Sequence, residues 1–440
     1  MQCAVGAFCV GEAFPERNYR AGIMKEKGIR FIDITAWVLT AVLFASIFIF
    51  GTYAWGRYVL ILLSAAIFLL SLVKNGKKAF YAPRPWHFFM LAIAAFSLIS
   101  SLWAIDPRDS FQKAVTIMGI CACFSLPYSY YCRCDDGVRR LIDAVKWGGY
   151  AIAFYTFFYY GFGTVFTSLA TSDRLKNGFS NVNTIGMITA MSVVIGIYEI
   201  KLKKKFTVDA LMAIPAIAVA LATQSRKAIL LLVAGIFSVL IFSNDPKKSI
   251  RKILPKAAIV AAVLIGVGVI LLQLPAFSGI KVRIDYMLSA LVGKGEAGSS
   301  AVIRIEMIKI GLGSFLRHPI GGVGIGCAHF LVNAELLLDT YMHNNYIEIL
   351  AGGGIIGFAI FYSLYGYLIT KFVLNRNAFE PFKNLCIIIT ILLLLMDVGL
   401  VSYYSKDLYF MLMILFLEVG KLDRMRSGET KEKRDEGIVK

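Results

Sequence analysis

The residues best able to do chemistry lie between 304 and 357, near the end of the chain. This segment begins with Arg304, passes a glycine-rich turn at 319–326, and reaches His343 just before a long apolar stretch. A neutral histidine accepts a proton near pH 7, because its ordinary pKa is about 6.5. His343 is therefore a candidate general base, and the alternative is a structural histidine that caps the next helix or bonds a neighbour.

Three arginines could bind an anionic ligand beside this histidine, namely Arg174, Arg226 and Arg304. A planar guanidinium group binds phosphate oxygens through two parallel hydrogen bonds, and such contacts are stronger at a partly dehydrated surface than in water. The alternative for each arginine alone is an exposed ion pair with a loop carboxylate, or contact with lipid headgroups. Three arginines near one histidine favour the anionic ligand.

The composition defines the elements that must hold these residues. Hydrophobic residues make up 58% of the chain and charged residues 17%, whereas about a quarter of the residues in a soluble domain are charged. Apolar runs of about 17 to 25 residues cross the hydrocarbon core of a bilayer, and the chain has twelve candidates. The sequence therefore predicts an all-α, polytopic membrane protein with about twelve transmembrane helices.

The predicted spans divide the chain into five parts. The spans are 33–52, 57–73, 86–105, 114–131, 141–162, 182–200, 207–223, 228–243, 254–274, 346–370, 384–401 and 406–420. The parts are an N-terminal tail at 1–32, nine spans at 33–274, a large outer loop at 275–345, three spans at 346–420, and a charged tail at 421–440. Met24 is an alternative start within the first tail.

Basic residues cluster in both tails and after the second, fourth, sixth, eighth and tenth spans. By the positive-inside rule, this side of the membrane is cytoplasmic, and so are both termini. The formal net charge of +18 is explained by this placement, so no nucleic-acid partner is expected. The three arginines named above fall on the opposite, outer face.

The outer loop at 275–345 is about seventy residues long, whereas most helix connections have about two to eight. A loop of this length is usually functional. Within it, apolar and charged residues alternate at helical spacing over 301–316, which predicts an amphipathic helix at the membrane interface. In the span that follows the loop, Gly353 and Gly357 have the GxxxG spacing that permits close approach of another helix.

Metal and cofactor motifs are missing from the outer face. The Cys-x-Cys at 132–134 lies in a predicted inner loop without a second half-site, and only Cys327 of the eight cysteines is in an outer loop, so neither a metal nor a disulfide is expected. Asp106 and Asp109 flank Pro107 and could hold a divalent ion, although a helix start is favoured.

The sequence also has no P-loop, no dinucleotide fingerprint and no outer nucleophile elbow. No cofactor is therefore expected, and a group donor has to arrive already activated. A diphosphate ester embedded in the membrane would meet that need.

At these residues the chain resembles the O-antigen ligase and polysaccharide polymerase family of bacterial envelopes. The similarity covers most of the membrane part and is most specific in the outer loop, which has Arg304, the run 318–326 (His-Pro-Ile-Gly-Gly-Val-Gly-Ile-Gly) and the triplet 343–345 (His-Asn-Asn) in that order. Weaker matches occur at 101–108, at 174–183 and at 223–226.

The resemblance implies a GT-C-like enzyme of the bacterial inner membrane that needs neither metal nor nucleotide and acts at the outer face. Its donor would be a glycan on undecaprenyl diphosphate, and its acceptor a sugar hydroxyl on another lipid-linked glycan or on lipid A core. By position, the implied roles are acceptor deprotonation by His343, diphosphate binding by Arg226 and Arg304, and further substrate contacts by Arg174, Asn183 and Asn344.

Two modes of such an enzyme remain open. Polymerisation, as in exopolysaccharide synthesis, is favoured over ligation to lipid A core, because nothing in the sequence is specific for a lipid A partner. A rival from another class is a multi-span polysaccharide transporter or flippase without transferase activity. Its usual long loop is central and cytoplasmic, whereas the long loop predicted here joins spans nine and ten on the outside.

Overall fold

The computed structural model describes residues 31–51, 53, 55–80, 84–171, 173–242, 250–292, 300–378 and 380–438. Within these ranges the regular structure is entirely helical, so the all-α prediction is confirmed. The predicted alternative start at Met24 and most of the first tail lie outside the described residues.

Sixteen α-helices are described, and we number them in chain order. They are α1 Phe31–Ile49, α2 Gly56–Asn75, α3 Pro85–Ser100, α4 Pro107–Tyr131, α5 Gly137–Tyr160, α6 Phe162–Ala170, α7 Val182–Lys203, α8 Val208–Ala222, α9 Arg226–Ile241, α10 Ile250–Gln273, α11 Ser278–Leu291, α12 Ser300–Arg317, α13 Ala328–Leu336, α14 Asn345–Leu374, α15 Lys383–Asp397 and α16 Lys406–Ile438.

Each predicted span coincides with one of these helices. Within the described residues, six helices are long and apolar enough to cross a membrane: Phe31–Ile49, Gly56–Ala79, Pro107–Tyr131, Val182–Lys203, Pro255–Gln273 and Asn345–Leu374. A polytopic helical protein is thereby supported, and the number of twelve spans stays a prediction.

Helix α4 begins seven residues before the predicted span, because polar residues start it. The side chain of Asp106 accepts hydrogen bonds from the backbone N–H groups of Arg108 and Asp109, and Pro107 occupies the first helical position. A side-chain cap and an N-terminal proline are strong helix-start signals that hydropathy does not register. The interpretation of this segment as a helix start is confirmed.

The centre of the bundle is the first half of α16, where every residue from 408 to 417 is buried. Helix α16 packs against α4, α5, α14 and α15. A helix that is apolar on all sides is expected in such a position, because no face of it has to meet solvent.

Buried charge joins helices α5, α7 and α8. The ammonium group of Lys146 on α5 lies 2.9 Å from a carboxylate oxygen of Glu199 on α7 and 3.0 Å from one of Asp209 on α8. All three side chains are buried. Because removal of one partner would leave uncompensated buried charge, this cluster fixes the relative positions of the three helices.

Helix α14 is broken at Gly354, whose backbone φ of 60° and ψ of −162° are not helical. The glycine-rich turn at 319–326 lies against the break. Backbone N–H groups of Val323 and Gly324 donate to the carbonyls of Ala351 and Gly352, at 3.0 and 2.8 Å. The turn thus supplies donors for carbonyls that the interrupted helix leaves free.

The two glycines with GxxxG spacing do admit a close neighbour. A Cβ atom on Gly353 would lie 2.8 Å from the side chain of Ile325, and one on Gly357 would lie 2.7 Å from the ring of Phe96 on α3. Distances under 3.0 Å are too short for a real Cβ. The predicted close approach is confirmed, and α3 together with the glycine-rich turn makes it.

Candidate functional site

A cavity of about 590 Å³ brings together residues from five separate parts of the chain. These are the segment before α7, the turn between α8 and α9, helix α11, helix α12, and the segment before α14. The lining residues are Arg174, Asn183, Gln224, Ser225, Arg226, Lys227, Gly279, Val282, Tyr286, Ser300, Ala301, Arg304 and His343. Five of the six site residues expected from the sequence are among them.

His343 immediately precedes the cap of α14 and has an unusual backbone conformation. Its φ of 54° lies in the left-handed region, which is uncommon for a residue with a side chain. Its ring centroid lies 4.3 Å from that of Tyr341. The Nδ1 atom of His343 is buried and has no hydrogen-bond partner among the described residues. No described residue therefore holds this ring nitrogen through a hydrogen bond.

Asn344 has a structural position. Its side-chain oxygen accepts a hydrogen bond from the backbone N–H of Ile347 at 3.1 Å, so it caps α14. It is absent from the cavity lining, and the structure does not bring it together with the other expected site residues. The cap that the sequence left open for His343 is therefore provided by the next residue.

Helix α12 carries Arg304 and is fixed against the start of α14. Met307 is buried in a small cluster with Met342 and Ile347. A Cβ atom on Gly311 would lie 2.2 Å from the side chain of Ile347. Glycine lowers helix propensity, but at this position only a glycine permits the close contact with α14. The predicted amphipathic helix is present, its apolar face packs on protein, and its membrane-interface position stays a prediction.

The turn between α8 and α9 places Arg226. Gln224 has a backbone φ of 48°, and its side-chain amide donates to the carbonyls of Ser168 and Thr171, both at 2.7 Å. Arg226 follows at the start of α9 and donates from Nη2 to the hydroxyl of Ser300 at 2.8 Å. This bond links the turn to the first residue of α12, four positions before Arg304.

Arg174 and Asn183 complete the opposite wall. Asn183 lies in the first turn of α7, and Asn181 caps that helix by accepting a hydrogen bond from the Asn183 N–H at 2.9 Å. Arg174 lies close enough to Arg304 to lower its pKa further, after the larger effect of burial. The two arginines therefore face the same space from different elements.

The cavity is strongly electropositive. Its lining holds three arginines and Lys227, and no Asp or Glu is among the described residues that line it. Burial lowers the pKa of His343 to about 4, and the charges of Arg304 and Lys227 add to that effect. Cations that crowd without carboxylates are an anion-binding arrangement.

Sequence reasoning missed Lys227, Gln224 and Tyr286. Lys227 adjoins Arg226 at the start of α9, and that adjacency was the signal that could have found it. Carbons of its side chain lie 3.6 to 3.8 Å from where a Cβ on Gly399 would be. Gln224 and Tyr286 carry no pattern in the sequence that distinguishes them from other polar loop residues.

The comparisons with known proteins give one family match, which covers part of the chain. Residues 211–362 match the family model described as O-antigen ligase, and the matched segment contains Arg226, Arg304 and His343. No curated protein matches the chain. The resemblance to the O-antigen ligase and polymerase family is thereby confirmed over this segment, and the long apolar helices support an integral membrane protein.

Proposed function

We propose, from the premise that residues 211–362 belong to the O-antigen ligase family, that the chain transfers an oligosaccharide from undecaprenyl diphosphate to a sugar hydroxyl. The observation that carries this proposal is the single cavity shared by Arg174, Arg226, Arg304 and His343. A group of cations beside an imidazole whose Nδ1 has no hydrogen-bond partner among the described residues suits a donor with a diphosphate leaving group.

The arginines and Lys227 would bind the diphosphate of the donor. When the bond between the anomeric carbon and the diphosphate oxygen breaks, the leaving group gains negative charge. Fixed cations stabilise that charge as it develops, and they do so more strongly in a partly dehydrated cavity than in water. The diphosphate therefore leaves without receiving a proton.

His343 would remove the proton of the acceptor hydroxyl as its oxygen bonds to the anomeric carbon. The low pKa of His343 keeps the imidazole neutral at pH 7, which is the form that accepts a proton. Bound diphosphate would offset the charges of Arg304 and Lys227 and so strengthen the base when the donor is in place. A positioned base contributes about 100- to 10,000-fold to a rate, which corresponds to about 3 to 5 kcal/mol.

Polymerisation remains the favoured mode, with a second lipid-linked glycan as the acceptor, and ligation to lipid A core is the alternative mode. The cavity would open at the outer face of the bacterial inner membrane, with both termini in the cytoplasm. Within the described residues, no group of three or more His, Cys, Asp or Glu side chains could hold a metal ion. The proposed transfer itself uses only cationic side chains and one imidazole.

Purified protein incubated with lipid-linked repeat units, with and without EDTA, tests the proposal. Growth of the glycan without a second acceptor is expected for a polymerase, and EDTA should leave the rate unchanged. A His343→Ala variant that inserts normally should lose activity. Normal glycan length in that variant would contradict the role of His343, and transport of glycan without transfer would favour the flippase alternative.

A further inference from the structure

A second cavity, of about 400 Å³, lies at the other end of the bundle. It is formed by the residues that precede and begin α3, the end of α4, the second half of α14 and the middle of α16. The lining residues are Arg84, Pro85, Tyr128, Cys132, Tyr367, Phe416, Leu417, Gly420, Asp423, Arg424 and Ser427. None of them lines the His343 cavity.

Two arginines give this second cavity its charge. Arg84 and Arg424 are both exposed, and both lie close enough to the Tyr128 hydroxyl and the Cys132 thiol to act on them electrostatically. No carboxylate whose side chain the structure describes, which in α16 means up to residue 427, lies within 4.0 Å of either guanidinium group. Among these described side chains, the two positive charges at the mouth of the cavity have no ion-pair partner.

The one carboxylate in the lining is already engaged. Asp423 forms an ion pair with Lys371 at 2.7 Å and accepts a hydrogen bond from the side chain of Asn375 at 3.1 Å. Its charge is thus matched by Lys371 and does not neutralise Arg84 or Arg424. The cavity retains a net positive mouth.

Behind the arginines the wall is aromatic and apolar. The rings of Tyr367 and Phe416 are stacked with centroids 5.7 Å apart, and Tyr128 stacks on the buried ring of Trp86. Leu417 is buried beside them. A charged mouth above an apolar wall fits a ligand that is itself amphiphilic, with an anionic head and a hydrocarbon tail.

The two cavities lie at opposite ends of α14. His343 immediately precedes the cap of this helix, and Tyr367 lies twenty-two residues beyond its first residue, Asn345. At about 1.5 Å per residue the separation along the helix is roughly 30 Å, which is about the thickness of the hydrocarbon core. If the His343 cavity meets one membrane surface, the second cavity meets the other.

We propose that the second cavity binds the phosphodiester headgroup of an anionic phospholipid between Arg84 and Arg424, with an acyl chain along Tyr367 and Phe416. The guanidinium groups donate to the phosphate oxygens, as planar forks do at phosphate sites. Lipid occupancy would connect α3, α4, α14 and α16 at the face where positive charge is concentrated. This inference does not depend on the transferase activity.

The test uses the full chain in nanodiscs that contain phosphatidylcholine alone or with phosphatidylglycerol. Retained lipid is counted by native mass spectrometry, and the midpoint of thermal unfolding is measured for each composition. The variants are Arg84→Gln with Arg424→Gln, and Arg376→Gln as the matched control, because Arg376 is exposed near the same end of α14 and does not line the cavity.

We expect the wild type and the control to retain phosphatidylglycerol and to unfold at a higher temperature in its presence. The double variant should bind it at least about tenfold more weakly and lose that shift, since two charge-assisted contacts are removed. In phosphatidylcholine alone, all three proteins should unfold at the same temperature, which reports that the double variant is folded.

Two results would overturn the proposal. Equal retention of phosphatidylglycerol by the double variant and the wild type would place the lipid elsewhere. An equal thermal shift from inorganic phosphate or glycerophosphate in phosphatidylcholine nanodiscs would show that the site takes a free phosphate and does not need the acyl chain.

Discussion

The carboxylate of Glu348 accepts a hydrogen bond from the backbone N–H of Met342, at 2.9 Å. Met342 is the residue before His343, and Glu348 lies on the first turn of α14, so the bond closes a loop around the histidine. Both residues are buried. The positive φ of His343 is held from one side by this bond and from the other by the Asn344 cap.

Replacement of Glu348 tests whether it positions the base. In Glu348→Gln the side-chain oxygen still accepts from Met342, so most activity should remain. In Glu348→Leu the acceptor is lost, and kcat should fall by about 100-fold with little change in KM for the donor, because a small displacement of a catalytic group has that effect. Glu335→Leu, at an exposed site on α13, is the control. Equal loss in the Gln and Leu variants would show that charge matters and not position.

Arg304→Lys should reduce kcat/KM by about ten- to a hundred-fold although it keeps the charge. A lysine presents a point charge on a flexible stem and does not reproduce the two parallel hydrogen bonds of a guanidinium group. Lys309→Arg on the same helix, whose side chain pairs with Glu306 at 2.8 Å, should leave the rate unchanged. Full activity in Arg304→Lys would reject bidentate binding of the diphosphate.

The acid side of the pH profile should report His343. Since burial and the charges of Arg304 and Lys227 lower its pKa to about 4, kcat/KM should stay flat below pH 6.5 and fall only near pH 4. Lys227→Gln removes one of these charges and should move the acid limb upward, whatever its effect on the plateau. If kcat/KM of the wild type instead fell near pH 6.5, a His343 pKa lowered by burial and by the two cations would be contradicted.

The lowered pKa of His343 also makes the free energy of unfolding depend on pH. An unfolded chain protonates this histidine below about pH 6.5, whereas the folded protein leaves it neutral down to about pH 4. The unfolded state therefore binds more protons between these values, and the free energy of unfolding should decrease as the pH falls through that window. His343→Gln should reduce this pH dependence in chemical unfolding curves.

Gly322→Ala should strongly reduce the amount of folded protein. The backbone φ at Gly322 is 64°, and a Cβ there would lie 2.5 Å from the backbone of Gly352. The conformation alone costs an alanine about 1 to 2 kcal/mol, and the contact adds to it. Gly313→Ala is the control, because nothing lies within 4 Å of its Cβ position, and it should stabilise α12 by about 0.5 to 1 kcal/mol. Thermal unfolding of both variants compares the two sites.

Hydropathy located the helices well, since a membrane span has to be long and apolar. It could not locate the break in α14, because the residues on both sides of Gly354 are apolar and only the backbone angles and contacts of Gly354 reveal the interruption. The sequence predicted that Arg226, Arg304 and His343 come from separate parts of the chain to one site, and the structure brings them into one cavity. Lys227 was not singled out, since its proximity to His343 depends on how α9 meets α12 and α14.

The role of Asn344 shows another limit. The sequence places it beside the candidate base, and an asparagine there is equally suited to a ligand or to a helix start. The choice depends on where its side chain points, and in the structure it accepts from the Ile347 N–H. Asn344 is still predicted to contact substrate, but its side-chain oxygen already accepts the hydrogen bond that caps α14.

The contact between the glycine-rich turn and the broken helix α14 is formed by main-chain hydrogen bonds. Because main-chain atoms are the same in every residue, mutation of the side chains of Val323, Ile325 or Ile355 need not disturb those hydrogen bonds. The side chains around this contact could then change while the backbone near the histidine kept its shape. Replacement of the glycines at 322, 324 or 354 would disturb this backbone contact, because each has a positive φ.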